Sequence, residues 1–303
     1  LTDPPLVGVL VGLAAAVRGA RCAHWVQDIY PEIATQLTGQ RWLLALRPLR
    51  DAAWRRAQFC VVPGSDMARA LIHARLPVER IITAPNWAPV GLSPQPEATA
   101  PALRAAWGLT DKFVVGYSGN LGRAHDLLPL LDLAEIMRED DRFAFLFIGA
   151  GPQRTVLETS ARSRGLDAVQ FRPPQPRDQL AASLAVADVH CVTLRAGAEQ
   201  WVFPSKLYGI AAIGRPVAFI GSGHSEIARL IRSHGLGEAF ERSEMDRFAA
   251  WLRQLRNQPT LLKECGTAAL AFSTGGFDRA LASWRRALAD LPPDTRTGTK
   301  ANR

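Results

Sequence analysis

Short apolar runs alternate with amphipathic segments through most of the 303-residue chain, and the alternation is regular beyond residue 110. The apolar runs predicted as strands there are Phe113–Tyr117, Phe143–Ile148, Val169–Arg172, Val189–Leu194 and Pro216–Ile220. Each run is followed by a segment of helical periodicity. Strands that alternate with helices predict a parallel sheet covered on both faces, which is a doubly wound α/β domain. Ligands of such domains bind at the carboxyl ends of the strands.

The chain before residue 91 shows a weaker form of the same rhythm. Strands are predicted at Cys22–Asp28, Phe59–Val62 and Ile81–Thr83. Ser65 is a candidate cap for a helix over Met67–Ala74. The apolar run Leu6–Val17 is shorter than the ~20 residues that span a bilayer. We therefore predict a buried helix there, with a contact to a membrane surface as the alternative.

Two domains are predicted from a change in composition. The segment Gly91–Pro101 is rich in Pro, Ala and Ser and is typical of an interdomain linker. Residues 1–95 then form a partial N-terminal domain, and residues 96–276 form a C-terminal domain that binds the nucleotide. Residues 277–290 are predicted to be a C-terminal helix, and residues 291–303 a disordered tail.

Charge and cysteine usage narrow the class of function. Lys and Arg number 36 and Asp and Glu 28, so the net charge is +8, and such a surface attracts nucleotides, nucleic acids or acidic lipid headgroups. The arginines are scattered rather than clustered with aromatic residues, which argues against nucleic acid. The four cysteines form no CxxC pair, so the sequence indicates neither a zinc site nor a redox motif. A reducing, cytoplasmic location fits best.

The first candidate site is Gly116–Arg123, which follows a predicted strand and precedes a predicted helix. Glycines let the backbone approach a phosphate closely, and a helix N-terminus favours negative charge. The guanidinium of Arg123 adds a fork that matches phosphate oxygens. A tight turn also needs glycine, so the segment alone has two interpretations. It is neither G-x-G-x-x-G nor a Walker motif, which argues against ordinary NAD and ATP sites.

The second candidate site is Phe203–Gly209, followed by Gly214–Pro216. Ser205 is a plausible helix cap, which places Lys206 in the first helical turn. A cation there opposes the helix dipole, and a bound anion would remove the conflict. A solvated surface lysine is the alternative. Because the chain has only four lysines, we favour the anion site.

Several of these segments together resemble glycosyltransferase family 4, in the branch of colanic-acid and O-antigen type transferases. The matching C-terminal segments are Gly119–Arg123, Phe147–Pro152, Ala187–Val189, Pro204–Gly209 and Gly214–Pro216. Thr2–Leu6 and Gln27–Glu32 resemble the acceptor-side segments of that branch. The resemblance therefore covers most of the chain, and the order and spacing of the motifs carry it.

The resemblance implies a GT-B fold, in which two Rossmann-like domains face a cleft, and a UDP-sugar or GDP-sugar donor used without a metal or other cofactor. Basic side chains then stabilise the leaving diphosphate, and Arg123 and Lys206 match those positions as catalytic residues. The residues implied to bind the donor are Gly119, Asn120, Gly122, His125, Arg172, Pro173, Ser205 and Leu207. Asp28 and Glu32 are implied to face the acceptor, with helix-capping acids in a polar loop as the alternative.

Two features depart from the family pattern. Gly209 stands where a Glu usually holds the ribose hydroxyls, and Trp201 stands at the preceding Glu of that pair, unless Glu199 substitutes through a gap. The first strand of the N-terminal domain and its Gly-rich loop are not found. We therefore expect the N-terminal Rossmann-like domain to be incomplete.

The sequence thus predicts a glycosyltransferase of surface polysaccharide biosynthesis that moves a hexose or N-acetylated sugar, with retention, to a glycan or polyprenyl-linked acceptor. A catalytically inactive protein that binds sugar nucleotides or another protein is the alternative. A peripheral contact with the anionic inner face of the membrane is also expected, with Arg41–Arg56 as the candidate patch. An amphipathic helix pair packed inside the N-terminal domain explains that patch equally well.

Overall fold

Two parallel sheets organise the chain in a computed structural model that describes residues 5–94 and 99–291. The motif residues Thr2–Pro4 and the predicted tail from Pro292 onward lie outside the described residues. The helices are α1 (Val7–Arg18), α2 (Glu32–Thr38), α3 (Arg47–Arg56), α4 (Ser65–His73), α5 (Thr99–Ala106), α6 (Leu128–Ile136), α7 (Arg154–Ser163), α8 (Leu180–Ala185), α9 (Lys206–Ala212), α10 (Glu226–Ser233), α11 (Met245–Asn257), α12 (Pro259–Ser273) and α13 (Gly276–Ala289). The strands are β1 (His24–Trp25), β2 (Cys60–Val62), β3 (Ile81–Thr83), β4 (Phe113–Ser118), β5 (Phe143–Ile148), β6 (Val169–Arg172), β7 (Val189–Thr193), β8 (Val217–Ile220) and β9 (Gly237–Phe240).

The larger sheet has the strand order β6-β5-β4-β7-β8-β9, and every pair of neighbours is parallel. Counted from β4, this is the order 3-2-1-4-5-6 of the doubly wound Rossmann domain. The order reverses between β4 and β7, and a ligand crevice opens at the carboxyl ends of the strands at such a point. The five strands predicted from the sequence are all present, and β9 is an addition.

Both faces of the larger sheet are covered, as the continuous apolar runs predict. Val115 and Tyr117 of β4 belong to a core cluster with Leu131 of α6 and Phe248 of α11. Val114, which directly precedes Val115, belongs to a separate cluster. Successive side chains of a strand point to opposite faces, so helices lie on both sides of the sheet. The predicted α/β class is confirmed.

The smaller sheet consists of β1, β2 and β3 in that order. The strand predicted over Cys22–Asp28 is only two residues long in the structure. The chain leaves the sheet because Asp28 forms an antiparallel bridge with Val202, and the N–H of Ile29 donates to the Trp201 carbonyl at 2.8 Å. These contacts join the smaller sheet to the loop that precedes α9.

The two parts of the chain also meet at the N-termini of α4 and α10. The carboxylate of Asp66 accepts from the N–H of Glu226 at 2.7 Å, and the carboxylate of Glu226 accepts from the N–H of Asp66 at 3.3 Å. Arg229 donates to Asp66 at 3.1 Å. Ser65 was the expected cap of α4, but it is the first residue of that helix and makes no cap hydrogen bond, so this prediction is wrong. A Cβ at Gly64 would lie 2.1 Å from the Glu226 carboxylate, so a larger residue there would displace that side chain from the contact.

Helix α1 covers the apolar run that was predicted as a buried helix, and this prediction is wrong. None of its residues is buried, and the exposed fraction is 69% for Leu10 and 88% for Val17. The helix packs on α3. Within residues 5–94 and 99–291, no helix has both the length and the hydropathy to cross a bilayer.

The chain beyond the larger sheet forms three consecutive helices, of which α12 was not predicted. Helix α12 packs closely on α9 and the turn after it, since a Cβ at Gly266 would lie 2.6 Å from the Gly214 carbonyl oxygen. Helix α13 crosses back to the smaller sheet, where Trp284 contacts Trp25 and Phe59 edge to face. The C-terminal helix therefore belongs to the core of the N-terminal sheet.

The segment Gly91–Pro101 joins the two sheets but is only partly a linker. Helix α5 begins at Thr99, inside the predicted linker. Residues 95–98 lie outside the described residues. The Ala content that suggested a linker is equally typical of a helix.

Candidate functional site

A cleft of about 460 Å³ opens beside the carboxyl end of β4, at the topological switch point of the larger sheet. Its lining residues come from the β4 loop, the start of α9, helix α8 and the segment that joins the two sheets. They are Trp87, Pro89, Leu92, Ser118, Gly119, Asn120, His125, Leu180, Leu184, Val202, Phe203, Pro204, Ser205, Lys206, Gly209 and Ile210. Both candidate motifs of the sequence thus meet at one cleft.

The glycine-rich turn after β4 packs backbone to backbone on the turn after β5. Gly119 has a φ of +129°, and a Cβ at Gly149 would lie 1.9 Å from its carbonyl oxygen. The N–H groups of Gly119 and Leu121 donate to the carbonyls of Ile148 and Ala150 at 2.9 and 2.8 Å. These two amides are therefore already paired. The expectation that the whole Gly119–Gly122 backbone meets a phosphate is wrong for them.

Lys206 at the start of α9 extends into the cleft and lies against this turn. Its Nζ lies 3.7 Å from the centroid of the Tyr117 ring and donates to the Tyr117 hydroxyl at 2.5 Å. A Cβ at Gly119 would lie 3.3 Å from the same Nζ. Glycine at this position therefore leaves the space that the amine occupies. Ser205, the expected cap of α9, makes no cap hydrogen bond and is exposed, so that prediction is wrong.

The cleft holds a cation without an acidic partner. Among the described residues that line it, Lys206 is the one Lys or Arg, and no Asp or Glu is present. Burial without a compensating charge lowers the pKa of Lys206 from 10.5 to about 7. A ligand anion at Nζ would restore the charged form, because an opposite charge nearby favours ionisation.

His125 contacts the Tyr117 ring edge to face, with the ring centroids 5.9 Å apart, and is kept neutral. Its Nδ1 donates to the Thr193 carbonyl at 2.7 Å, at the end of β7, which leaves Nε2 as an acceptor. Burial, together with the charge of Lys206, lowers the pKa of His125 to about 4. A neutral imidazole can accept a hydrogen bond from a ligand hydroxyl, but it supplies no positive charge.

The structure brings together six of the residues singled out in the sequence: Gly119, Asn120, His125, Ser205, Lys206 and Gly209. Arg123 is exposed and does not line the cleft, and its carbonyl accepts from Arg195 at 2.6 Å. Gly122 lies behind Asn120, and Leu207 is fully buried in the core that the two sheets share.

Arg172 and Pro173 follow β6 and lie outside the cleft lining. Arg172 stacks over Trp107 at 5.4 Å and donates to Gln170 at 3.1 Å, while Pro173 is exposed. These two residues were expected to lie beside the nucleotide base, but neither lines the cleft at the end of β4.

The two acidic residues expected at the acceptor have different surroundings. Glu32 is buried, and its two oxygens accept from Arg50 at 2.6 and 2.9 Å and from Arg47 at 2.7 Å. This carboxylate is an internal ion-pair partner, which corrects the expectation that it faces the cleft. Asp28 is partly buried and carries the backbone bridge to Val202, a lining residue.

One end of the cleft is apolar, which the sequence did not reveal. Leu92 from the connecting segment packs with Leu180 and Leu184 of α8, opposite Gly209. Tyr117 was likewise missed as a site residue, because in the sequence it is an apolar position of a buried strand. Among the described residues, no group of three or more His, Cys, Asp or Glu could hold a metal ion.

The sequence is similar to a known protein family and to curated proteins. The model of the family "Glycosyl transferases group 1" matches residues 100–272. The "Putative colanic acid biosynthesis glycosyl transferase WcaI" of Escherichia coli (strain K12) is 30% identical over 276 residues, which are 88% of this chain and 67% of that protein. The "Probable glycosyltransferase WbjE" of Pseudomonas aeruginosa is 27% identical over 78% of this chain and 60% of its own length. The chain thus spans about two thirds or less of these relatives.

Solved structures share the fold at low identity. Anabaena Alr3699/HepE in complex with UDP superposes with a TM-score of 0.79 at 16% identity, over 94% of this chain and 76% of that one. WaaG, a glycosyltransferase involved in lipopolysaccharide biosynthesis, superposes with a TM-score of 0.69 at 15% identity, over 89% of this chain and 75% of that one. These neighbours are GT-B glycosyltransferases, so the expected fold class is confirmed.

Proposed function

The chain belongs to the group 1 glycosyl transferases, and on that basis we propose that its cleft binds a nucleoside-diphosphate sugar whose sugar is transferred to a glycan or polyprenyl-linked acceptor. The relative from Escherichia coli is named for colanic acid biosynthesis. Synthesis of a surface polysaccharide is therefore the proposed context. Transfer with retention of configuration, without a bound metal, belongs to the same proposal.

The observation that carries the proposal is the uncompensated ammonium of Lys206 at the switch point of the sheet. A buried cation without a partner is costly, and an arriving diphosphate would remove that cost. The same group would then stabilise the negative charge that develops on the leaving diphosphate. His125 would accept from a hydroxyl of the donor, and the side chain of Asn120 lies at the same wall.

Uridine diphosphate is the first donor nucleotide to test. HepE is described in complex with UDP and with UDP-glucose, and GDP is the second choice. Thermal-shift measurements with UDP, GDP, ADP and TDP should show one stabilising nucleotide, because a ligand that binds only the folded state raises its stability. No response to any of them would contradict the proposal.

Two substitutions separate the proposed cations. Lys206→Ala should weaken nucleotide binding and lower turnover by about 100-fold, the loss typical of one preorganised electrostatic contact. Arg123 is exposed outside the cleft, so Arg123→Ala tests whether its side chain reaches the diphosphate in the complex. Lys263→Ala, an exposed lysine on α12, is the matched control. Turnover that survives Lys206→Ala would overturn the central role of this residue.

A second candidate function is a protein that binds a sugar nucleotide without transferring the sugar. Gly209 favours it, because the cleft wall beside it is apolar and offers no carboxylate to a ribose diol. Mass spectrometry of a polyprenyl-phosphosugar acceptor incubated with the stabilising nucleotide sugar distinguishes the two functions. Product NMR gives the anomeric configuration, and EDTA treatment tests metal independence.

We further propose that helix α1 and the segment Arg41–Arg56 contact an anionic membrane. Leu10 and Val17 on α1 and Trp42 of the segment Arg41–Arg56 are exposed, and α1 packs on α3, whose last turn carries Arg55 and Arg56. Apolar side chains beside arginines suit a peripheral contact with acidic lipids. Sedimentation with vesicles of phosphatidylglycerol should show binding that weakens with salt, and binding independent of lipid charge would contradict it.

A further inference from the structure

The Tyr117 hydroxyl occupies a fixed position between the cation of the cleft and the glycine-rich turn. It accepts a hydrogen bond from Lys206 Nζ at 2.5 Å and donates its own proton to the Asn120 carbonyl at 3.0 Å. A phenol has one proton to donate. Because that proton goes to the Asn120 carbonyl, the hydroxyl oxygen can only accept from Lys206. Burial raises the pKa of Tyr117 above its usual range, so the phenol stays neutral.

The ring of Tyr117 supports the same amine from one side. Nζ lies 3.7 Å from its centroid, and the faces of aromatic rings attract cations. Glycine at position 119 leaves the room that the amine occupies, since a Cβ there would lie only 3.3 Å from Nζ. The amine of Lys206 thus contacts both the ring and the hydroxyl of Tyr117 and lies beside the glycine-rich turn at the cleft.

We infer that Tyr117 is a positioning residue, which holds the amine of Lys206 at the diphosphate position of the cleft until the donor binds and then releases it to the diphosphate. The inference rests on the proposed function for the second step only. The first step, the hold by Tyr117, is a property of the ligand-free protein. A diphosphate oxygen would replace the hydroxyl as the acceptor, and a charge-assisted bond to phosphate is the stronger of the two.

The charged and titratable groups around Lys206 come from three elements. Tyr117 stands on β4, His125 follows β4, and His190 stands on β7. Both histidines have a pKa of about 4 and are neutral above that pH, so neither competes for the diphosphate nor repels the lysine at neutral pH. Lys206 is therefore the group that changes charge when an anion arrives, and it takes up one proton from solvent above pH 7.

The small number of lysines makes the hold by Tyr117 directly measurable. Lysine labelled with ¹³C at Cε gives four signals, from Lys112, Lys206, Lys263 and Lys300, and Lys206→Met identifies that of Lys206. Its titration between pH 5 and 11 in the ligand-free chain should have a midpoint near 7. Tyr117→Phe keeps the ring but removes the acceptor of the ammonium, so the midpoint should fall by about one pH unit, a tenfold change in the protonation equilibrium.

Tyr208→Phe is the matched control, because Tyr208 is another buried tyrosine, two residues after Lys206 in sequence, but is not its hydrogen-bond partner. It should leave the Lys206 midpoint unchanged. The positioning role is overturned if Tyr117→Phe leaves the midpoint in place, or if Tyr208→Phe moves it equally. Circular dichroism of both variants checks that the fold is retained.

The release to the donor is tested separately by adding UDP, and GDP if UDP does not bind. Saturation should raise the Lys206 midpoint by at least one pH unit in the native chain, and calorimetry at pH 8 in two buffers should show proton uptake. Nucleotide binding should also lose its pH dependence in Lys206→Arg, because a guanidinium stays charged. A nucleotide that binds without moving the Lys206 midpoint overturns the release, while the result for Tyr117→Phe still decides the hold.

Discussion

Replacing Lys206 by Met should make the ligand-free protein more stable and should weaken its binding of a nucleotide. Methionine keeps an unbranched apolar stem of similar length, so the packing of the side chain is largely retained. What the substitution removes is an amine that the folded protein buries without an acidic partner among the described residues of the cleft. The native chain therefore bears a cost that the variant does not.

The size of that cost follows from the pKa of Lys206 in the two states. Unfolding returns the pKa from about 7 to 10.5, and a difference of that size corresponds to about 5 kcal/mol. Between pH 7 and 10.5 the unfolded chain binds one more proton than the folded chain, so native stability rises with pH. The advantage of Lys206→Met should therefore be about 4 kcal/mol at pH 7 and about 2 kcal/mol at pH 9.

Urea unfolding of the native chain and of Lys206→Met at pH 7, 8 and 9 measures this difference. Lys263→Met is the control, because Lys263 is exposed on α12 and its substitution should change stability by less than about 0.5 kcal/mol at every pH. The reasoning is refuted if Lys206→Met is no more stable than the native chain at pH 7. A gain that stays constant from pH 7 to pH 9 would equally refute it.

Three further predictions concern the turn, the contact between the two sheets and the cleft wall. Gly149→Ala should cost about 3 kcal/mol or more in urea unfolding, because its Cβ would lie 1.9 Å from the Gly119 oxygen; Gly165→Ala, with a φ of +64° but open space, should cost only about 1 kcal/mol, and equal costs would contradict the packing argument. Asp66→Ala should lower stability by about 1–2 kcal/mol, because its carboxylate accepts from the first N–H of α10, with a coupling to Glu226→Ala above about 0.5 kcal/mol in a double-mutant cycle; additive losses would disprove the reciprocal contact. Gly209→Glu should tighten the binding of UDP about tenfold by adding an acceptor for the ribose hydroxyls, since a Cβ there meets only Leu92 at 3.5 Å. Calorimetry of the variant that finds equal affinity for UDP and 2′-deoxy-UDP would place the ribose elsewhere.

Most of the larger sheet was predictable because its strands are buried on both faces and read as apolar runs. Two of the elements that the sequence did not predict, β9 and α12, share a cause. Strand β9 begins at Gly237, and helix α12 contains Gly266, and glycine is unfavourable in both kinds of element. In the structure a Cβ at Gly237 would lie 2.1 Å from the Val217 oxygen, and one at Gly266 would lie 2.6 Å from the Gly214 oxygen. Each glycine marks close packing with a neighbour, and propensity alone does not contain that information.

The site was predictable in its backbone and much less so in its side chains. The turn after β4 and the start of α9 both lie at the cleft. The alternation of strands and helices predicts a doubly wound sheet, and the carboxyl end of β4 and the loop before α9 lie at the same edge of such a sheet. Arg123 and Lys206 looked equivalent in the sequence, as two cations in two motifs. Which of them enters the cleft depends on the exact direction of each side chain, and Arg123 turns toward solvent.

The N-terminal motif Gln27–Glu32 shows how a recognisable segment can act on a site without touching its ligand. The carboxylate of Glu32 is paired with the arginines of α3, and this pairing fixes the start of α2. Asp28 and Ile29 just before it hold Trp201 and Val202 by backbone bonds. Since those two residues lead directly into the segment that carries Lys206, the motif sets the position of the cleft wall. Backbone pairing of this kind does not depend on which side chains the motif carries. The sequence therefore identified the segment correctly, but it pointed to side-chain carboxylates where the structure uses backbone groups.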